Sequence, residues 1–192
     1  MVSENVHKLL ERVEKACQSS GRKKEEIEIV AVTKNVAPEK ITEAIGCGIK
    51  NVGENRVQEA QDKFGPLHRS FPEVQWHMLG HLQKNKVNRA LEIFDMVQSV
   101  DSLKLLSVIA RRAGELGKIQ DYLIEIKISE EPSKSGLSPQ ELKSFLESSS
   151  GLKNVRLRGV MAIAPNFEDK QNFLERPNNC LNEGVQWAEY RK

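Results

Sequence analysis

The stretch "EIEIVAVTKNV", residues 26–36, contains an apolar run that ends in a lysine. The run from Ile27 to Val32 has the length and the β-branched composition of a buried strand. It is followed by Thr33, Lys34 and Asn35. An amine at the end of a buried strand suggests that the strand carries a functional group to the edge of a sheet.

Strand-like and helix-like segments alternate after an amphipathic N-terminal helix, which we predict over residues 3–20 with Ser3 as its N-cap. The predicted strands are "IEIVAV", "IKNVG", "VQWHML", "DMVQSV", "YLIEIKI" and "VRLRGVMAIA". The predicted helices between them are "PEKITEAIGCG", "NRVQEAQDKF", "LQKNKVNRALEIF", "SLKLLSVIARRAGELG" and "SPQELKSFLESSS". This order predicts an α/β fold with a parallel sheet, and periodicity alone leaves a barrel and a doubly wound sheet both open. We expect a single domain, 1–192, with strand–helix units over 27–164 and an atypical tail over 165–192.

The charge balance argues against two classes of partner. Lys and Arg number 29 and Asp and Glu number 27, so the net charge is only +2. Such a balance gives no electrostatic footprint for nucleic acid or for an anionic membrane surface. No apolar run approaches the ~20 residues that span a bilayer, and the N-terminus lacks the apolar core of a signal peptide. The three cysteines form no CxxC pair, so we expect reduced thiols in a cytoplasmic protein.

Polar residues follow several of the predicted strands, at the end where a barrel places its function. Lys34 follows the first strand, Asn55 in "GEN" follows the second, and His77 in "HMLGH" lies at the end of the third. Lys134 in "SKSG" follows the fifth strand. Polar groups at the same end of successive strands converge on one mouth, so these residues are candidates for a ligand pocket.

Lys34 could be an ordinary surface lysine or a reactive amine. Most lysines at strand ends simply extend into solvent. A lysine at the mouth of a barrel would instead be partly desolvated, which lowers its pKa and frees the neutral amine. A neutral amine attacks aldehydes and forms a Schiff base. The small polar neighbours Thr33 and Asn35 favour the second interpretation.

Two other motifs have weaker interpretations. His77 and His81 have the i, i+4 spacing of some zinc sites, but Gly80 interrupts them and no third ligand lies nearby, so we predict no metal site. "SKSG" could bind an anion through Lys134 and backbone N–H groups, and a mobile polar loop is an equally good explanation.

Several separate motifs resemble one known family. The segments "AVTKNV", "NVGENRVQEA", "WHMLGHLQKNK", "QSVDSLKL", "KSG" and "RGVMAIAP" resemble, in this order, the pyridoxal phosphate homeostasis protein family. That family is related to the N-terminal barrel domain of alanine racemases. The likeness covers roughly residues 1–169.

The resemblance implies a (β/α)8 TIM-type barrel that holds pyridoxal 5'-phosphate as a Schiff base on Lys34. It implies that Asn55 and His77 lie in the pocket and that Met161 lines the cofactor ring. It also implies a cytoplasmic protein of vitamin B6 homeostasis, without established catalysis, whose partners are a B6 vitamer and the apo-enzymes that use the cofactor. Monomer is the default oligomeric state.

The tail differs from the pattern of the family. After Lys170 the sequence reads "QNFLERPNNCLNEGVQWAEYRK", whereas the family continues with two more strand–helix units. We therefore expect a barrel that is truncated after about six strands. In such barrels the loops after strands 7 and 8 commonly bind phosphate, so the residues that bind the phosphate group are not predicted.

Two enzyme classes are alternatives to a carrier. An amino-acid racemase that depends on pyridoxal phosphate needs a second acid–base group opposite the lysine, and Tyr122 and Tyr190 are the two tyrosines available. A Schiff-base aldolase also uses a barrel lysine, although usually one on a later strand than Lys34. Both alternatives are weaker than the carrier.

Overall fold

The computed structural model describes residues 1–128 and 136–163. Helix α1, Val2–Ser20, confirms the predicted N-terminal helix and ends at Gly21, whose φ of 69° is the left-handed conformation that glycine adopts without strain. The predicted N-cap was wrong, because the helix begins before Ser3. The Ser3 N–H donates instead to the Glu43 carboxylate at 2.8 Å.

The other elements follow the predicted alternation. The strands are β1 Val30–Val32, β2 Asn51–Glu54, β3 Gln75–Met78, β4 Met96–Val100, β5 Gln120–Glu125 and β6 Val155–Met161. The further helices are α2 Pro38–Gly46, α3 Val57–Ser70, α4 Val87–Ala90, α5 Leu103–Glu115 and α6 Pro139–Ser149. Short 3-10 turns lie at Lys24–Glu26 and Lys84–Lys86.

The six strands form one parallel sheet in the sequence order β1-β2-β3-β4-β5-β6, with helices between them. A doubly wound sheet reverses its strand order at a switch point, and this order has no reversal. The topology therefore agrees with the barrel prediction and resolves the alternative that periodicity left open. The tail at 165–192 lies outside the described residues.

The predicted helix "LQKNKVNRALEIF" was mostly wrong. It contains only a 3-10 turn and the four-residue α4. Leu82, Leu91 and Phe94 are each at most 1 % exposed, so apolar packing overrides the helical pattern of the sequence. In this segment tertiary contacts decide the backbone, because intrinsic helix propensity is weak by comparison.

The chain divides into two units, Met1–Val97 and Gln98–Lys192, so the single domain stays a prediction. In the first unit, parallel register aligns Val32 with Gly53, Gly53 with His77, and His77 with Met96. The core includes the ring of Trp76, which is 1 % exposed and meets Phe64 edge-on with ring centroids 5.4 Å apart. Side chains alternate along each strand, so this register fixes which residues share a face of the sheet.

Strand β1 is less buried than its composition predicts. Val30 and Ala31 are half-buried, and Val32 is 50 % exposed. In the described part of the chain β1 is an edge strand that pairs with β2 on one side. The prediction of a buried first strand was therefore wrong, because an apolar run records β propensity and not the number of neighbouring strands.

In the second unit β5 pairs with β6, and the register shifts between Tyr122 and Leu123. A bidentate ion pair joins these strands. The Asp121 carboxylate accepts hydrogen bonds from Arg156 Nε at 2.7 Å and from Arg156 Nη2 at 3.0 Å. The apolar face of α5 supplies buried Leu105, Leu106 and Ile109. Among the described residues, no helix combines the length and the hydropathy that a bilayer crossing requires.

Helix α6 begins with a reciprocal capping arrangement at Ser138. The Glu141 carboxylate accepts hydrogen bonds from the Ser138 N–H at 2.9 Å and from its hydroxyl at 2.7 Å. These bonds hold the pKa of Glu141 below its ordinary value of 4.5. Pro139 occupies the first turn, where its missing N–H costs nothing.

We expect Ser138→Ala to lower the free energy of unfolding by about 1 kcal/mol, because it removes the capping hydroxyl. Denaturant titration measures the difference. Ser144→Ala is the matched control on the same helix. Ser144 lies in the helix interior, and its hydroxyl donates to the Glu141 carbonyl of the preceding turn at 2.9 Å. Equal stability of the two variants would contradict the capping role.

Candidate functional site

Lys34 lies on a tight turn directly after β1. The Val36 N–H donates to the Thr33 carbonyl at 3.0 Å, which closes a four-residue turn with Lys34 at its second position. Asn35, at the third position, has a φ of 58°. Asparagine tolerates this left-handed conformation better than most residues, so the sequence "TKNV" matches the turn that it forms. The turn presents the Lys34 side chain at the carboxyl end of β1.

A buried ionic cluster lies beneath this turn and consists of Thr33, Glu54, Glu59 and Lys63. Glu54 Oε1 accepts hydrogen bonds from the Thr33 hydroxyl at 2.7 Å and from Lys63 Nζ at 2.8 Å. Lys63 Nζ also donates to Glu59 Oε1 at 2.7 Å and to the Thr33 carbonyl at 2.7 Å. The cluster therefore joins α3 to the ends of both β1 and β2.

The cluster is well shielded from water. The side chains of Lys63 and Glu54 are 9 % and 0 % exposed. Burial by itself lowers the pKa of Lys63, but its hydrogen bonds to Glu54 and Glu59 outweigh burial and raise the pKa above 10.5. The hydrogen bond from Lys63 likewise holds the pKa of Glu59 below 4.5. Lys63 and Glu59 are therefore both charged at neutral pH.

One atom of the cluster is unsatisfied. Glu54 Oε2 is buried and has no hydrogen-bond partner among the described residues. Two carboxyl groups, of Glu54 and Glu59, contact the one ammonium of Lys63. Buried polar atoms are rarely left unpaired, which distinguishes this cluster from an ordinary structural ion pair.

Sequence reasoning missed this cluster. Glu59 and Lys63 form an i, i+4 pair on an amphipathic helix, and such pairs usually lie on a solvated face. A signal was nevertheless present, because Val57, Ala60, Lys63 and Leu67 share the buried face of α3. A lysine at a position in that apolar pattern indicates a buried partner.

His77 is buried on the other face of the sheet. Its register partner in β2 is Gly53, whereas Thr33 and Glu54 occupy the next positions along their strands and contact α3. His77 is 2 % exposed. Burial lowers its pKa below 6.5, and the negative charges of Asp95 and Glu28 oppose this shift. The imidazole is therefore neutral at neutral pH, as a hydrogen-bonding pocket residue would be.

Asn55 lies where two backbone segments cross closely. A Cβ at Gly80 would lie 2.8 Å from Asn55 Cα and 2.9 Å from Asn55 C, so only glycine fits without displacement. Beside this crossing a cleft of about 480 Å³ is lined by residues that include Asn55, Arg56, His81 and Lys86. Among the described residues, neither Lys34 nor His77 lines the cleft.

The remaining predicted residues have different outcomes. Met161 is half-buried at the end of β6, in the second unit. Lys134 lies outside the described residues. The expected partial desolvation of Lys34 was wrong, because Lys34 is exposed. The physical reason is the partly exposed edge strand that precedes it, with Val32 50 % exposed.

We expect Gly80→Ala to destabilise the chain by about 1–3 kcal/mol, because the added methyl forces the two backbone segments apart. Denaturant titration measures this cost, and backbone chemical shifts of Asn55 should change. Gly46→Ala is the matched control, since a Cβ there meets nothing within 4 Å. Unchanged stability of Gly80→Ala would refute the close approach.

The lowered pKa of His77 predicts a loss of stability in mild acid. The unfolded chain takes up this proton near pH 6.5, and the folded chain resists it until lower pH. The contribution is therefore complete above about pH 6.5 and is lost as the pH falls, with a slope of at most about 1.4 kcal/mol per pH unit. His77→Gln should flatten the dependence of the unfolding free energy on pH in this range.

The control is His7→Gln, at an exposed histidine of α1, which should keep the slope of the unmodified protein. Denaturant titrations at several pH values give both slopes. The same slope in His77→Gln as in the unmodified protein would contradict the assignment.

Comparison with known proteins gives relatives along most of the chain. The family model described as alanine racemase, N-terminal domain, matches residues 5–192. The pyridoxal phosphate homeostasis protein of Aquifex aeolicus (strain VF5) is 36 % identical over 169 residues, which are 88 % of this chain and 73 % of that protein.

Solved structures agree with this result. PipY of Synechococcus elongatus PCC7942, solved with PLP bound, has a TM-score of 0.70 and 32 % identity over 88 % of this chain and 81 % of PipY. An alanine racemase of Clostridium difficile 630 has a TM-score of 0.70 at 16 % identity, over 92 % of this chain and 45 % of the racemase, so it shares the fold alone. From its sequence relatives and its fold, the chain belongs to the pyridoxal phosphate homeostasis protein family, which is built on the alanine racemase N-terminal domain.

Proposed function

We propose that this protein binds pyridoxal 5'-phosphate and holds it as a Schiff base on Lys34, in a carrier role within vitamin B6 homeostasis. The observation that carries the proposal is the Lys34 turn. It presents a primary amine at the carboxyl end of the first strand of a parallel sheet, which is the end where barrels place their ligands.

The residues present fit the group. Pyridoxal phosphate, when bound, supplies an aldehyde that condenses with a primary amine and releases one water molecule. Lys34 is exposed, and among the described residues no carboxylate pairs with it, so its amine is accessible to an incoming aldehyde. The names of the relatives and the PLP-bound structure of PipY support the same ligand.

Neutral His77 and half-buried Asn55 remain the proposed pocket residues of the first unit, whereas Met161 and Lys134 stay predictions from the sequence. His77 can donate or accept one hydrogen bond without adding charge. Asn55 lies at the close backbone approach of Gly80. A few polar groups of this kind orient a ligand in a binding pocket.

An exposed attachment point suits a carrier that releases its ligand. Water or another amine can reach a bond formed on an exposed lysine, so the cofactor can pass on to apo-enzymes that require it. We propose that these apo-enzymes are recipients and that the carrier acts as a monomer. An enzyme that retains its cofactor through many turnovers would favour a more enclosed lysine.

Racemisation receives less support. A racemase needs a second acid–base group near the lysine. Tyr122 is 4 % exposed, and burial raises its pKa above 10, with a smaller opposing effect from its hydrogen bond to Ser149. A buried phenol that stays protonated is a poor base, and Tyr190 lies outside the described residues.

We expect Lys34→Ala to abolish the imine absorbance band that forms when pyridoxal phosphate is added, because no other residue in the proposal supplies the amine. Absorbance titration measures the band. Borohydride reduction and peptide mapping of the unmodified protein should then place the adduct on Lys34.

Lys40→Ala is the matched control, since Lys40 is an exposed lysine on neighbouring α2 and should leave the band intact. An adduct on Lys134, or a persistent band in Lys34→Ala, would refute the assignment.

A further inference from the structure

The turn that carries Lys34 is held on both sides by one helix. Lys63 Nζ donates to the carbonyl of Thr33, the residue before Lys34, at 2.7 Å. Glu59 Oε1 accepts a hydrogen bond from the backbone N–H of Asn35, the residue after Lys34. Glu59 and Lys63 lie one turn apart on α3 and pair with each other at 2.7 Å. A single pair of side chains on α3 therefore holds both peptide groups that flank Lys34.

Stability alone does not account for this arrangement. Buried ion pairs are commonly no more stable than apolar packing of the same volume, because both charges lose their hydration. Here Lys63 contacts a second carboxyl group, that of Glu54. One oxygen of Glu54 is buried without a hydrogen-bond partner among the described residues. The cluster instead restricts the conformation of the turn, since its hydrogen bonds to Thr33 and Asn35 restrain the backbone on either side of Lys34.

We propose that Glu59 and Lys63 are positioning residues that fix the backbone on both sides of Lys34, and with it the direction in which the Lys34 side chain leaves the turn toward the cofactor aldehyde. This proposal rests on the function proposed above. Neither side chain contacts the ligand, and both act through the backbone of the turn. A backbone that is already fixed has less conformational freedom to lose when Lys34 reacts.

Hydrogen exchange tests, without any cofactor, whether Glu59 and Lys63 hold the Lys34 turn. Lys63→Met should raise the exchange rates of the Asn35 and Val36 amides by at least about tenfold, because local opening of the turn becomes easier. Lys8→Met is the matched control. It removes an exposed i, i+4 pair with Glu4 of the same 2.7 Å distance and should leave these amides unchanged. Unchanged exchange in Lys63→Met would overturn the proposal.

Titration with pyridoxal phosphate tests the functional consequence. Lys63→Met should weaken the apparent affinity by at least about tenfold while Lys34 still forms the adduct, because misplacement of a reacting group by about 1 Å can cost a hundredfold. Unchanged affinity in Lys63→Met, with loss of the band in Lys34→Ala, would overturn the positioning role alone. A persistent band in Lys34→Ala would overturn the proposed function and the positioning role with it.

Two further variants separate positioning from folding. If Lys63→Met does not fold, Glu54→Gln/Lys63→Met removes one charge of each sign and should show the same faster exchange and weaker binding. Glu59→Gln keeps an oxygen that accepts from Asn35, whereas Glu59→Ala does not. We expect Glu59→Gln to retain most of the affinity and Glu59→Ala to lose at least about tenfold. Equal affinities of these two variants would overturn the positioning role.

Discussion

The ammonium of Lys63 is the group on which the site in the first unit depends. It reaches from α3 to the Thr33 carbonyl and to the Glu54 carboxylate, at 2.7 and 2.8 Å. Burial makes a charge costly, and here two carboxylates keep the lysine charged. The partners of Lys63 are the residue after β1, the last residue of β2 and a residue of α3, so one side chain joins the ends of two strands to the helix.

The two faces of the sheet have different roles at this end. Thr33 and Glu54 are on the face that contacts α3, where the ionic cluster fixes the backbone. His77 is on the opposite face and is neutral because burial lowers its pKa. This division follows from the alternation of side chains along a strand, so a shift of one residue in register would exchange the two sets.

The alanine racemase comparison shows how much of this arrangement belongs to the fold. A racemase with 16 % identity still superposes with a TM-score of 0.70, so the sheet and its helices tolerate extensive substitution. A shared fold fixes where a strand ends but does not fix the chemistry that follows it. In this chain the proposed chemistry depends on Lys34 and on the residues that hold its turn, which include Lys63 and Glu59.

The sequence by itself determined the order of the elements, the position of Lys34 after the first strand and the family motifs. These features are local, since periodicity and turn chemistry depend on neighbours along the chain. Tertiary structure alone decided the exposure of β1, the burial of Lys63, and the placement of Asn55 at a cleft that neither Lys34 nor His77 lines. The Lys63–Thr33 hydrogen bond joins residues 30 positions apart, and helical periodicity does not encode a partner at that separation. The number of strands beside β1 is likewise a property of the assembled sheet, so an apolar run could predict the strand but not its exposure.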